Sequence, residues 1–419
     1  MQPVDRNARW HRTAELALVL ACAFFAFRGW RASLRPEGSD FTIYWHAGRA
    51  VLEGTEPWRV TDYIYLPAFA VAIVPLAALP LPLAAAIWQL GSLAALFFAA
   101  HRCVALARRD GLGAPEWLAW VPLFCLLRLA DSNLVNAQVN AFILAIALLG
   151  IDAWFRGRER RAGAWIGLAA AMKIVPVALV LPIFARRGYR TVAAALATAV
   201  ACVFLLPPLV LGWSANVAGL RAWWHAEPEP YWRGGAALLE AREYLPGQSL
   251  TATAYRLLAP TPATARGEAG PRANVLDLDV ETVAWIVRGA QALYLALLAA
   301  TLLRSRRGDL PGARLRELAL TMTVALTLAP LVHKAHLIWL LLPYTVLLAR
   351  GPACLAPFAS RLRWTCIAAS VIVIGATTPA ILGRSMATWE LGHNAIFVGV
   401  QFALAALLVD VWARRPAAI

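Results

Sequence analysis

Residues 13–45 read TAELALVLACAFFAFRGWRASLRPEGSDFTIYW: an apolar segment, a polar link, and an acid that leads an aromatic run. The apolar part, roughly residues 13–30, approaches the length of about 20 residues that a helix needs to cross a bilayer. Arginines follow it rather than a small-residue cleavage site, so we expect a retained membrane helix and not a signal peptide. The stretch predicts a membrane helix that ends shortly before Asp40.

The composition extends this prediction to the whole chain. Of its 419 residues, 60% are hydrophobic and only 15% are charged, a balance that soluble domains rarely show. We therefore expect an all-α polytopic integral membrane protein that forms one domain over residues 1–419. The net charge of +15 resides mostly in arginines between apolar segments, which favours contact with anionic lipid headgroups and no nucleic-acid partner. The scattered cysteines, Cys354 among them, predict no disulfide and no metal site.

Clusters of arginine mark the loops that face the cytoplasm. Working backward from the C-terminus gives about 12 crossings, with both chain ends inside. Two long loops then lie outside: 38–82, with a juxtamembrane helix and a proline-rich re-entrant segment, and 213–278. We expect a multi-pass protein of the bacterial plasma (inner) membrane whose site faces the extracytoplasmic side. The arginine clusters used are at 156–161, 186–190, 304–316 and 414–415.

The stretch 162–185 has basic flanks at both ends yet is only about one span long, and Lys173 and Pro176 interrupt it. A pair of short helices that meet inside the membrane fits this pattern, since irregular backbone at depth must be buried or line a cavity. Lys173 and Lys334 are the only lysines in the chain. A lysine in an apolar stretch is either functional or reaches its charge to the headgroups.

Asp40 has two interpretations. An acid before an apolar run is often a helix N-cap, because its oxygen accepts a backbone N–H; the alternative is a catalytic carboxylate. Tyr44 and Tyr65 are likewise either residues of an interfacial aromatic belt or rings that stack on a ligand.

Two further polar clusters have the same ambiguity. Residues 133–140, NLVNAQVN, contain Gln138 and Asn140. These amides either cap a helix and form interhelical hydrogen bonds, or they contribute to a binding site. His333 and His336 are three residues apart and share a helix face. Because zinc would need further ligands that are not nearby, we predict no metal here and instead a cradle for a phosphate, to which Lys334 adds charge.

In chain order, five segments resemble motifs of glycosyltransferase family 87. The resemblance runs over residues 38–343. Four residues differ from the family pattern: Ala137 replaces Gly, Gly247 replaces Asn, Ala329 replaces Ser and His333 replaces Trp. The segments are D-F-x-x-Y-W-x-A-G-R at 40–49 with a Tyr-rich Leu-Pro stretch at 63–67, Q-V-N at 138–140, G-x-x-x-G-L-A-A-A-M-K-I-V-P at 163–176, Q-S-L at 248–250, and the Pro330–His336 segment.

The resemblance implies a GT-C fold and the transfer of a sugar, often mannose, from a polyprenyl-phosphate-linked donor to a lipid or glycan acceptor with inversion. It places the catalytic acid at Asp40 and the last motif histidine at His336. From the residues themselves we expect a general base at Asp40 and no cofactor. Candidates for binding the donor phosphate or the substrates are Lys173, Lys334, His333, Gln138, Asn140, Gln248, Tyr44 and Tyr65.

Two other functions fit part of the pattern. A transporter or flippase of lipid-linked sugars would use broken helices near the midplane, although no repeat relates the two halves of the chain. A ligase that moves whole lipid-linked glycans would use arginines of an outer loop, and 213–278 contains several, Arg221, Arg233 and Arg256 among them.

Overall fold

A computed structural model describes residues 6–241, 245, 247–262, 272–305, 310–349 and 355–413. All the extended regular elements in these ranges are helices, as the composition predicts. Part of one arginine cluster, 306–309, and the whole of another, 414–415, lie outside the described residues, as does Cys354. The other five cysteines are free thiols.

Eleven α-helices cover the first half of the chain. Prolines begin several of them, because a proline in the first turn lacks only an N–H that would have no helical partner; α3 begins at Pro67 in this way. The helices are α1 Arg6–Ser33, α2 Asp40–Leu52, α3 Pro67–Ala77, α4 Leu81–Arg109, α5 Val121–Cys125, α6 Leu127–Val135, α7 Asn140–Phe155, α8 Glu159–Met172, α9 Val180–Ala185, α10 Tyr189–Val200 and α11 Pro208–Leu211.

The second half contains four short helices in the predicted outer loop 213–278, followed by longer helices. Of the longer ones, α17 is buried on nearly every face, as expected for a central helix. The helices are α12 Trp213–Ala226, α13 Pro228–Arg233, α14 Gly235–Ala241, α15 Leu250–Leu258, α16 Val280–Ser305, α17 Ala313–Leu328, α18 Leu341–Leu348, α19 Pro357–Ala376, α20 Pro379–Gly392 and α21 Ala395–Trp412.

Six helices of the described chain are long and apolar enough to cross a bilayer, and a seventh span is added if the bent pair α6–α7 counts as one. The chain is therefore a multi-pass membrane protein, but about 12 full crossings are not confirmed. One reason is that the segment 116–130 is not a single helix: a 3₁₀ turn at Glu116–Ala119, α5 and the start of α6 divide it. The expected span 335–350 also falls on a shorter apolar helical stretch, Lys334–Leu348.

The loops grouped by charge do lie together. Asp152 pairs with Arg109 and Arg156, and Arg186 pairs with the buried Glu317 at 2.6 Å. These ion pairs connect the basic loops at one end of the bundle. The two long loops predicted on the opposite side also meet, since the Trp223 indole donates to the Ile64 carbonyl at 3.2 Å. The sequence grouping of loops into two sides is thus consistent with the packing.

Candidate functional site

The start of α2 tests the N-cap interpretation of Asp40. Ser39, in extended conformation, is the N-cap residue, and its backbone N–H donates to Thr42 Oγ1 at 3.0 Å. Asp40 is instead the first helical residue. Within the described chain no hydrogen bond reaches its side-chain carboxylate, and the side chain is partly exposed. The N-cap interpretation of Asp40 is therefore wrong, and its carboxylate is available for another role.

The asparagine-rich segment forms the bend between α6 and α7, whose axes differ by 116°. Ala137 lies at the bend with a φ of +53°, a left-handed conformation that costs a non-glycine residue about 1–2 kcal/mol. This explains why glycine suits that family position. The Trp88 indole donates to the Ala137 carbonyl at 2.9 Å, and the Asp40 backbone N–H donates to the Asn136 carbonyl at 3.2 Å. The bend therefore holds the start of α2.

The predicted helix break inside 162–185 is present at Lys173. α8 ends at Met172, Lys173 is extended, and a 3₁₀ helix begins at Val175. α8 is held against α10 by Gly163 and Gly167, where a Cβ atom would lie 2.3 Å from the carbonyl oxygens of Thr191 and Ala195, respectively. Small residues four apart permit this close backbone approach. The glycines of the family motif thus fix the helix from whose end Lys173 projects.

Lys173 joins several of the residues expected at the site. Its ammonium donates to Asn140 Oδ1 at 3.0 Å and contacts His336 Nε2. It lies 5.7 Å from the centre of the Tyr65 ring, within the range of a cation–π interaction. Asn140 in turn donates to Gln138 Oε1 at 3.2 Å, so three sequence-distant segments converge on one lysine.

His336 is oriented by its own loop. The His333 backbone N–H donates to His336 Nδ1 at 2.7 Å, which leaves Nε2 directed at Lys173. Burial and this bond fix the ring, so the two histidines do not act as an open pair of ligands. Within the described ranges no group of three or more His, Cys, Asp or Glu side chains is placed to hold a metal ion.

The Gln248–Ser249 loop pairs with the Pro330–His336 loop. The Gln248 backbone N–H donates to the Val332 carbonyl at 2.5 Å, and Ser249 Oγ donates to the Pro330 carbonyl at 2.7 Å. Gly247 precedes this contact with a φ of +119°, and a Cβ there would lie 2.8 Å from the Val332 oxygen. Glycine is therefore required where the family has Asn.

The buried guanidinium of Arg256 holds the Gln248–Ser249 loop in place. Arg256 donates to Asn394 Oδ1 at 2.6 Å and also contacts the Gly247 carbonyl. Asn394 donates onward to Thr253 Oγ1 at 2.6 Å. The start of α21 is thereby connected to the Gln248–Ser249 loop.

A cavity of about 930 Å³ opens beside Lys173. Most of its wall is apolar, with several aromatic side chains from α12 and α13. Tyr65, Lys173 and His336 also line it. Among the described residues the wall does not include Asp40, Tyr44, Gln138, Asn140, Gln248, His333 or Lys334. The cavity is large enough for part of a lipid, and only a few of its lining residues are polar.

Asp40 lies outside the candidate spanning helices but close to the Lys173 cluster. Burial raises the pKa of Asp40 to about 6; the charge of Lys173 opposes this rise, and that of Asp62 adds to it. The Tyr44 and Tyr65 hydroxyls, which share a hydrogen bond of 2.9 Å, are also within the electrostatic influence of Asp40. A carboxylate with this pKa is largely ionised at neutral pH and can still accept a proton.

The structure thus brings most of the expected site residues together, and His333 adjoins them through its backbone hydrogen bond to His336. Asp40, Tyr44, Tyr65, Gln138, Asn140, Lys173 and His336 form the polar cluster. Gln248 is buried in the loop pairing with its Oε1 unsatisfied, while His333 and Lys334 are partly exposed beside it. Two residues near the site were not predicted from the sequence. Asp62 is simply an acid close to the Tyr-rich stretch, and Trp88 resembles an ordinary helix residue.

By its fold and the position of its polar cluster, the chain is a multi-pass membrane protein with ionisable groups beside a lipid-sized cavity. Comparison with known families is more specific. The model of glycosyltransferase family 87 matches residues 63–332, and the chain belongs to this family. The matched range begins after Asp40 and ends before His333, so the roles of Asp40 and His336 are not covered by it.

Two similar proteins come from Mycolicibacterium smegmatis (strain ATCC 700084 / mc(2)155). One is a polyprenol-phosphate-mannose-dependent alpha-(1-2)-phosphatidylinositol mannoside mannosyltransferase, 29% identical over 225 residues that cover 48% of this chain and 50% of the relative. The other is the corresponding phosphatidylinositol pentamannoside mannosyltransferase, 28% identical over 217 residues with the same coverage. The chain spans about half the length of these relatives. No solved structure matches it.

Proposed function

We propose that the protein transfers a hexose, most simply mannose, from a polyprenyl-phosphate-linked donor to a lipid or glycan acceptor at the extracytoplasmic face of the membrane. The observation that carries the proposal is the convergence of Asp40, Lys173 and His336 next to one apolar cavity. Membership of glycosyltransferase family 87 and the donors named for the two relatives support it. A GT-C arrangement is the architecture that we propose for this helical chain.

The proposed chemistry is a single displacement. Asp40 takes the proton of an acceptor hydroxyl while the hydroxyl oxygen bonds to the anomeric carbon of the sugar. The bond from that carbon to the donor phosphate breaks, and the electron pair leaves on the polyprenyl phosphate. Attack opposite the leaving group inverts the anomeric configuration. A positioned base of this kind contributes about 10²–10⁴-fold to the rate.

We propose that Lys173 binds and stabilises the leaving phosphate. It lies at the cavity wall, where Asn140 Oδ1 accepts a hydrogen bond from its Nζ and His336 contacts it. A positive charge fixed where negative charge develops stabilises the transition state without reorganisation. The apolar part of the cavity would hold the start of the polyprenyl chain, and the Tyr65 ring would border the sugar.

The pH dependence of transfer tests Asp40 as the base. Because the pKa of Asp40 is raised to about 6 by burial and the base must be ionised, the rate should fall about tenfold per pH unit below that value. Rates are measured from pH 4.5 to 8 with saturating substrates in detergent micelles. A flat profile down to pH 5 would contradict the assignment.

Asp62→Asn is a control for this test, because it should shift the pKa of Asp40 in a known direction. Asp62 has a left-handed φ of +62°, which asparagine tolerates, and its charge raises the pKa of Asp40. The variant should keep its activity at neutral pH while the acidic limb moves to lower pH. A limb that does not move, or that moves to higher pH, would mean that another group titrates.

The proposed orientation is tested by labelling. Val275, 74% exposed, lies in the predicted outer loop, whereas Arg190, whose side chain is 85% exposed, lies in the first turn of α10 at the other end. In intact cells a membrane-impermeant maleimide should label Val275→Cys and spare Arg190→Cys until the membrane is permeabilised. The reverse pattern would invert the topology.

Transfer itself is tested with purified protein and radiolabelled polyprenyl-phosphate mannose, with no membrane gradient. Formation of a labelled lipid product supports an enzyme. If the protein, reconstituted in liposomes, instead moves the donor between leaflets and forms no product, it is a flippase. A parallel screen with donors that carry one sugar or a whole glycan separates monosaccharide transfer from glycan ligation.

A further inference from the structure

The large cavity has a second polar region at the first turns of α16. Arg288 and Gln291 line the cavity there, and residues three apart on a helix share a face. Glu227, the one carboxylate among the lining residues, comes from the end of α12. This region belongs to different helices from Lys173, and the catalytic steps described above do not use it.

Arg288 is held in a defined position. Its Nη2 donates to the Arg233 carbonyl at 2.7 Å, and its guanidinium lies 4.8 Å from the centre of the Trp285 ring. Within the described ranges no carboxylate forms an ion pair with it. Glu281, on the same helix, instead accepts the Ala236 backbone N–H at 3.0 Å. Carbonyls and a ring orient the guanidinium but do not neutralise it.

A guanidinium with remaining N–H groups at an apolar wall favours a phosphate, because its planar fork binds two phosphate oxygens at once. The cavity therefore offers two separate cations, Lys173 and Arg288. A reaction between two lipids that each carry a phosphate would need two such positions, one for each headgroup.

We propose that Arg288 binds the phosphodiester of the acceptor lipid, with Gln291 on the same face hydrogen-bonding a hydroxyl of its headgroup. The proposal rests on the proposed function, because it takes Lys173 as the donor-phosphate site. The acceptor class is thus a glycerophospholipid with a hydroxylated headgroup rather than a neutral glycan. Arg288 is a binding residue, and the proton transfer at Asp40 does not involve it.

Kinetics test the assignment in an uncharged detergent, with polyprenyl-phosphate mannose as donor and a phosphatidylinositol mannoside as acceptor. Arg288→Gln should raise the acceptor KM by about 10- to 100-fold, the range for losing a charged hydrogen bond, and leave the donor KM unchanged. Arg288→Lys should restore part of the affinity. Arg221→Gln removes an exposed arginine of α12 that does not line the cavity, and it should change neither KM.

An increase confined to the donor KM would assign Arg288 to the donor phosphate and overturn the proposal. Unchanged values would reduce Arg288 to an ordinary contact with bulk headgroups and overturn it equally.

Direct binding separates this proposal from the proposed function. Wild-type protein should bind dioctanoyl phosphatidylinositol at least about tenfold more tightly than dioctanoylglycerol, which lacks the phosphate, and Arg288→Gln should abolish the difference. Native mass spectrometry or thermophoresis in uncharged detergent measures it. Preserved binding without sugar transfer would refute the proposed function alone. Equal affinity of wild type and Arg288→Gln for the phospholipid would refute the phosphate site alone.

Discussion

Asp40→Asn is expected to lower sugar transfer by about 10²–10⁴-fold while the protein remains folded. Asparagine has nearly the same shape and can accept hydrogen bonds, but it cannot take a proton from an acceptor hydroxyl at neutral pH. Ser39 provides the N-cap of α2, and no hydrogen bond within the described chain depends on the Asp40 carboxylate. The unfolding midpoint in detergent should therefore change little, which separates the chemical role from a structural one.

Glu53→Gln is the matched control for this substitution. Glu53 follows the same helix, is half exposed, and pairs with Arg49 at 2.8 Å. Exposed pairs of this kind contribute less than about 1 kcal/mol, so the variant should transfer sugar at the wild-type rate. A purified Asp40→Asn protein with wild-type turnover would remove Asp40 as the base, and His336 would be the next candidate.

Lys173→Ala is expected to lower kcat/KM by about 10²–10³-fold, the usual effect of losing one preorganised electrostatic contact in a transition state. Lys173→Met keeps most of the side-chain length and removes the charge. If the charge matters rather than the packing, both variants should lose activity to a similar degree. Both should also move the acidic limb of the pH profile upward, because the charge of Lys173 lowers the pKa of Asp40.

Lys334 supplies the comparison, since it is the only other lysine of the chain. It begins the 3₁₀ helix Lys334–Leu340 and does not line the cavity within the described residues. Lys334→Ala should lower kcat/KM by less than about tenfold. Full activity of Lys173→Met, or equal losses at both lysines, would contradict the assignment of the donor phosphate to Lys173.

The sequence was sufficient for the helical class and the helix break at Lys173, because these depend on local composition. Hydropathy could not predict that 116–130 is divided into short helices, since the breaks at Trp120 and Leu126 occur inside an apolar stretch. The sequence also could not decide which residue caps α2, because Ser39 and Asp40 are neighbouring residues with similar capping preference.

The site was predictable only as far as unusual polar residues in apolar surroundings reveal it. Lys173, Asn140 and His336 are conspicuous for this reason, and their side chains do meet. Asp62 and Arg288 resemble ordinary exposed charges of an outer loop or a helix end. Their relation to Asp40 and to the cavity depends on long-range packing, which residue spacing does not encode.

The hydrogen bond between Arg256 and Asn394 couples α15 to the start of α21. Because Arg256 also contacts the Gly247 carbonyl, any displacement of the Gln248–Ser249 loop must either separate Arg256 from this carbonyl or carry α15 and the start of α21 with it. Separation would leave a buried guanidinium short of a partner, at a cost of about 1.5–3 kcal/mol. This loop should then move together with α15 and α21, on the microsecond-to-millisecond timescale of collective helix motions, rather than on the faster timescale of an isolated loop.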